Sequence, residues 1–164
     1  MKRINYFLIS LLIIIIDQLS KLYIRTTMVP GDLIRLTPKF FWIRYVENRG
    51  AGFSFSFGNP DLNRIIFSLI TIIAVFVLIF LILKTISRTE ALGFSLVLGG
   101  AMGNLIDRIW MGKVTDFVDW DFPDLIMERW PVFNVADSSI VCGVCLLAIF
   151  YLFWERKKTG IKVR

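Results

Sequence analysis

Four long apolar runs, separated by shorter polar stretches, set the plan of this chain. The first starts behind Lys2 and Arg3, runs apolar from Ile4 to Ile16, and continues through Asp17 and Lys21 to about Ile24. No small-residue cleavage site follows it, and its length suits a bilayer-spanning helix, so it reads as a retained anchor rather than a secretory leader. The others cover about 63–84, 91–110 and 135–154. Each is long enough to cross a hydrocarbon core.

Between them lie two longer connections, 25–62 and 111–134, and one short turn near 84–90. The 25–62 segment has turn signals at Pro30-Gly31, Asn48-Arg49-Gly50 and Asn59-Pro60. Phe40 to Val46 is aromatic and β-branched, and Phe53-Ser54-Phe55-Ser56-Phe57 alternates perfectly. Both read as short strands joined near Asn48 to Gly50, forming a small sheet that lies on the membrane with its Phe face towards lipid or the helix bundle. The fold expected is therefore an all-α membrane protein, one domain over 1–164, with four transmembrane helices and a small β-sheet on the membrane surface.

Composition sharpens this picture. The chain is 56% hydrophobic with only 20% charged residues. The net charge is +6, but the cations flank apolar runs, so anionic lipid explains them and nucleic acid is not expected. Lys and Arg are densest at the N-terminus, the 84–90 turn and the tail, which places both termini inside and the two long connections outside.

Histidine is absent. That removes Ser-His and Cys-His nucleophiles and His-based zinc sites, so acid–base chemistry must come from carboxylates, Lys, Tyr or Cys. Cys142 and Cys145 lie in an apolar helix that disfavours thiolate, and they read as packing residues. No metal or other cofactor is expected.

Candidate chemistry concentrates at one depth. Charged groups in a membrane helix are expensive and usually functional. Gly100, Gly103, Asn104, Asp107 and Arg108 share a face of the third run by helical spacing. Gly99 and Gly103 form a small-xxx-small pair that suits close helix approach. Asp17 and Lys21 form an i,i+4 pair that either neutralises itself, with Lys21 reaching to the interface, or supports a site. Asn134 can cap the fourth helix and puts Asp137 in its first turn, where the helix dipole favours an anion. The 111–134 stretch carries several further acids, Asp116, Asp119 and Asp121 among them, most of which should be solvated.

Two nearby carboxyls in a partly dry site titrate as a unit, one protonated and one charged, and such a pair can activate water. The residues alone do not choose the pair. A proton-coupled transporter and a non-catalytic assembly factor are the rival classes, though no discontinuous apolar segment supports transport.

Five ordered blocks then resemble the signatures of bacterial lipoprotein signal peptidase (signal peptidase II). They are Asp17-Gln18-Leu19-Ser20-Lys21, Glu47-Asn48-Arg49-Gly50-Ala51, Gly103-Asn104-Leu105-Ile106-Asp107-Arg108, Val114-Thr115-Asp116-Phe117 and Phe133-Asn134-Val135-Ala136-Asp137-Ser138. The resemblance spans nearly the whole chain. It implies an intramembrane aspartic endopeptidase of the bacterial cytoplasmic membrane, its active site at the outer face. Its substrates would be prolipoproteins, cut just before a diacylglyceryl-modified cysteine. It further implies Asp116 and Asp137 as catalytic acids, with Asp17, Lys21, Asn48, Gly100, Asn104, Asp107, Arg108 and Asn134 in support or substrate contact. The 25–62 segment resembles the family's extracytoplasmic β-cradle. Membrane lipid and globomycin-type inhibitors are the expected partners, and the chain is expected to act as a monomer.

Overall fold

The structure, a computed structural model, describes residues 3–50, 58–121 and 130–159. Its long helices are α1 (Arg3–Thr27), α2 (Pro60–Lys84), α3 (Arg88–Met111) and α4 (Val135–Thr159), all long and apolar enough to cross a membrane. Among the described residues three strands accompany them: β1 (Leu33–Arg35), β2 (Phe41–Asn48) and β3 (Val114–Trp120).

Local chemistry explains the helix ends. Asn59 caps α2 by accepting from the Asp61 and Leu62 N–H groups, and Pro60 follows where a missing N–H costs nothing. Ser87 caps α3 through the Glu90 N–H. Gly112 ends α3 in the left-handed conformation at φ 70°, which a side chain would strain.

Helix α3 is the centre of the bundle and touches the other three helices. Half of its apolar stretch (50%) is buried inside the chain, against 17–22% for the others, whose outward Leu, Ile, Val and Phe side chains are exposed for lipid. Small residues make that centrality possible. A methyl group on Gly99 would lie 2.8 Å from Ile13 Cβ of α1, and one on Gly100 would collide with the Ala136 carbonyl of α4. Tyr6, Val75, Ile82, Phe94 and Leu98 form the main apolar core among α1, α2 and α3.

The sheet is antiparallel in the order β1-β2-β3. This differs from the expectation that the cradle is built from 25–62 alone. The third strand comes from the 111–134 connection, because Val114 to Trp120 can pair its backbone with β2 and bury Phe117 beneath the sheet with Ile24, Met28 and Tyr45. The expected Phe53–Phe57 strand lies outside the described residues. Register places Asn48 opposite Val114 and Val46 opposite Asp116, with an irregularity between Ile43 and Val46. Cys142 and Cys145 correct another expectation. They are free and exposed on α4 rather than packed in the core, because α4 turns its small residues, Gly143 among them, towards α3.

Candidate active site

The sheet, the ends of α1 and α3, and the start of α4 meet at one end of the bundle. Between them opens a cleft of about 540 Å³. Val46, Asn48, Asn104, Arg108, Asp116, Trp130, Asp137, Ile140 and Val141 are among its lining residues. Asp116 and Asp137 therefore face the same space, one from β3 and one from the first turn of α4.

Each acid is held from two sides. Asp116 is buried, and its oxygens accept from Asn48 Nδ2 at 3.1 Å and Asn134 Nδ2 at 2.6 Å. Asp137 accepts from Asn104 Nδ2 at 2.8 Å and from the Asn134 backbone N–H at 3.2 Å. Asn134 returns the second bond, its Oδ1 accepting from the Asp137 N–H at 2.9 Å. This reciprocal cap is the expected helix start, with an Asp in the role that Glu usually fills. Asn134 thus contacts both acids, and it also donates to Asn104 Oδ1 at 3.1 Å. Burial, and then the neighbouring charge of Asp137, push the Asp116 carboxyl up from 3.8 to about 7, against the pull of its amide donors.

Behind this layer lies a buried charge cluster. Lys21 does not reach to the interface as a surface lysine would. It is fully buried, 2.8 Å from Asp17 Oδ2, 3.4 Å from Asp107 Oδ2 and 2.8 Å from Asn104 Oδ1. The pairing compensates a charge that burial alone would make prohibitive. Arg25 adds a second cation 3.2 Å from Asp107 Oδ1. Gln18 Nε2 donates to the Gly103 carbonyl at 3.0 Å and lies within reach of Asp17 and Asp107. Gly103 must be small here, since an added methyl would sit 2.5 Å from Asp17 Oδ2.

The predicted residues therefore separate into layers. Asn48, Asn104, Arg108, Asp116 and Asp137 line the cleft. Asn134 is buried just behind it. Asp17, Lys21 and Asp107 sit deeper, and Gly100 serves the α3–α4 contact rather than the cleft. The Arg108 guanidinium stacks 5.9 Å from the centre of the Phe67 ring. Asp119 corrects the expectation of a solvated loop acid. It is fully buried beside Arg44, with Nε to Oδ2 at 2.9 Å, and so belongs to the sheet. Arg25 and Gln18 were not singled out by sequence. The i+4 step from Lys21 to Arg25 on the face that carries Asp17 is the signal that could have found Arg25.

Among the described residues, no group of three or more Cys, Asp or Glu side chains is arranged to hold a metal ion. The arrangement offers the paired carboxyls of Asp116 and Asp137, amide donors that fix both, Glu47 as a further acid in the lining, an open apolar-walled cleft, and the guanidinium groups of Arg49 and Arg108.

Comparison with known proteins gives a consistent picture. Residues 9–153 match the family model described as Signal peptidase (SPase) II. The lipoprotein signal peptidase of Halothermothrix orenii is 39% identical over 155 residues, covering 94% of this chain and 98% of that protein. That of Francisella tularensis subsp. novicida is 37% identical over 158 residues, covering 94% and 96%. A bacterial membrane enzyme structure determined by the in meso method at 2.3 Å resolution superposes with a TM-score of 0.83 at 33% identity, covering 98% of this chain and 94% of the other. A second, at 1.9 Å, gives 0.79 at 35% identity, covering 90% and 92%.

Proposed function

The chain belongs to the signal peptidase II family, and on that premise we propose that it is a two-aspartate endopeptidase acting on diacylglyceryl-modified prolipoproteins. The family assignment and the four spanning helices make it a protease of the bacterial cytoplasmic membrane that processes prolipoprotein signal peptides. The aspartic chemistry rests on one observation. Asp116 and Asp137 face one cleft, and a single buried residue, Asn134, donates to both carboxyls, through its side-chain amide to Asp116 and its backbone N–H to Asp137.

In the proposed mechanism Asp116 carries the shared proton and Asp137 is the base. Burial raises Asp116 to about 7, which supports this order. Asp137 sits in the first turn of α4, where the helix dipole favours an anion, and its two N–H donors act in the same direction. A water held between the acids gives a proton to Asp137 as its oxygen attacks the scissile carbonyl carbon. Asp116 hydrogen-bonds the carbonyl oxygen. When the C–N bond breaks, the dyad returns a proton to the leaving nitrogen of the modified cysteine. No covalent acyl-enzyme forms, and no metal takes part.

The apolar cleft wall of Ile140 and Val141 lies on α4, whose outer side chains are exposed to the bilayer. The acyl chains of the substrate would lie along it and position the peptide bond. A globomycin-type inhibitor would occupy the same space between the acids. Asn48, Asn104 and Arg108 are the candidate substrate contacts, because they share the cleft lining. The Lys/Arg distribution supports both termini in the cytoplasm and the cleft at the outer face; the chain is read as a single integral-membrane domain that acts as a monomer.

Cleavage of a diacylglyceryl-modified prolipoprotein by purified protein in detergent tests the reading. Wild type should cut before the modified cysteine, and folded Asp116→Asn and Asp137→Asn should both be inert. Wild-type-like cutting by either variant would remove that acid from the dyad.

A further inference from the structure

The mechanism uses two acids and leaves a cluster of four charged groups behind them, three buried and Arg25 at its edge, without a chemical task. Asp17, Lys21 and Arg25 come from α1, and Asp107 comes from α3. Two are acids and two are bases, so the cluster is formally neutral. Neutrality alone does not explain it. Buried ion pairs cost desolvation that apolar side chains of the same size would not, so their presence raises the question of what they hold.

The answer lies in what else the two carboxylates accept. Asp17 Oδ1 accepts from the Ala136 N–H at 2.9 Å. Asp107 Oδ2 accepts from the Thr115 N–H at 3.0 Å. Ala136 is the residue immediately before Asp137, and Thr115 is the residue immediately before Asp116. The Ala136 N–H lies in the first turn of α4, where no intrahelical carbonyl can satisfy it. One acid of the cluster therefore tethers the backbone beside each acid of the dyad.

Lys21 joins the two tethers. Its ammonium contacts Asp17 and Asp107, and its third contact, Asn104 Oδ1, orients the amide that donates to Asp137. Arg25 reinforces the Thr115 side. Its Nη1 lies 3.2 Å from Asp107 Oδ1 and 3.3 Å from Thr115 Oγ1. The Arg25 side chain is 20% exposed, unlike the fully buried Lys21.

We propose that Lys21 is a positioning residue, with Arg25 as its outer clamp. By fixing Asp17 and Asp107 it sets the backbone of Ala136 and Thr115, and through them the separation of Asp137 and Asp116. This inference rests on the dyad reading. The dyad lies on two elements far apart in sequence, and catalytic groups must be held to about half an ångström. A cross-brace from α1 supplies that constraint without touching substrate.

The test separates bracing from charge compensation. The double variant Asp17→Asn/Lys21→Met keeps the cluster neutral and leaves an amide oxygen to accept from Ala136. It removes the ammonium link to Asp17, Asp107 and Asn104, together with the Gln18 contact to Asp17 Oδ2. The expected result is a folded protein whose amides at 114–117 and 135–138 exchange faster in detergent. Its kcat should fall by at least about tenfold, with KM nearly unchanged, as misplaced reacting groups require. Arg25→Met, at the partly exposed edge, should accelerate exchange at 114–117 alone and also lower kcat, and it decides the matter if the double variant does not fold. Wild-type exchange and kcat in the folded variants would overturn the proposal and leave Lys21 a simple counter-charge. Asp116→Asn and Asp137→Asn, assayed alongside, keep the two ideas apart. Activity in either would sink the dyad whatever the exchange shows, whereas inert dyad variants beside an unaffected brace variant would sink only the brace.

Discussion

Asp116→Asn should change the pH dependence of stability as well as abolish cleavage. The carboxyl is raised from 3.8 to about 7, chiefly by burial and then by Asp137. A shift of about three pH units corresponds to roughly 4 kcal/mol between the protonated and ionised forms. The sign follows from linkage. The folded state holds this proton more tightly than the unfolded chain does, so the contribution is complete below about pH 4 and is lost as pH rises towards 7. Asparagine has no proton to lose. It does carry a cost of its own, because each Asp116 oxygen accepts from an amide, and an Asn Nδ2 would face one of those donors. That mismatch costs about 1–3 kcal/mol at every pH. The slope is therefore the diagnostic, not the absolute stability. Denaturant unfolding in detergent at pH 4.5, 6 and 8 should show the variant gaining on the wild type by a few kcal/mol across the series. A gap that stays constant, or one that moves in favour of the wild type, would refute a raised Asp116 and with it the assignment of the shared proton.

Other perturbations follow from the same geometry. Asn48→Ala removes a donor that favours the charged form of Asp116, so the alkaline limb of the kcat profile should move to higher pH; an unmoved limb would mean that Asn48 does not act on the proton-bearing acid. Asn134→Ala should leave Asp116, Asp137 and Asn104 short of partners at a fully buried position. It should cost about 2–4 kcal/mol in chemical denaturation, as stranded buried polar groups do, and eliminate turnover. Gly103→Ala places a methyl 2.5 Å from Asp17 Oδ2 and should destabilise by about 1–3 kcal/mol, whereas Gly31→Ala, where the added carbon meets nothing within 4 Å, should cost only its left-handed backbone strain and leave cleavage intact. Equal losses of activity in the two would argue against close packing as the reason for Gly103.

Much of this protein is legible in its sequence because the bilayer imposes strict rules. Only runs of apolar residues can span it, so the four helices stand out, and Asn59, Ser87 and Asn134 announce where three of them start. Acids and amides at helix ends are costly enough to be conspicuous, and Asp17, Asn104, Asp107 and Asp137 could be picked out on that ground alone. Local pattern could not show which of these groups meet. The membership of Val114–Trp120 in the sheet, the burial of Asp119 against Arg44, and the tether from Asp17 to Ala136 join parts of the chain far apart in sequence, and the tether from Asp107 to Thr115 joins a helix end to the strand that follows it. Lys21 shows the difference most plainly. Its i+4 partner Asp17 is visible in one dimension. Its complete burial, and its contacts with Asp107 and Asn104, exist only because glycines let α1 pack tightly against α3. Periodicity identifies a helix and the depth of its polar groups, whereas close approach between helices decides which charges are neutralised and which remain open to a cleft.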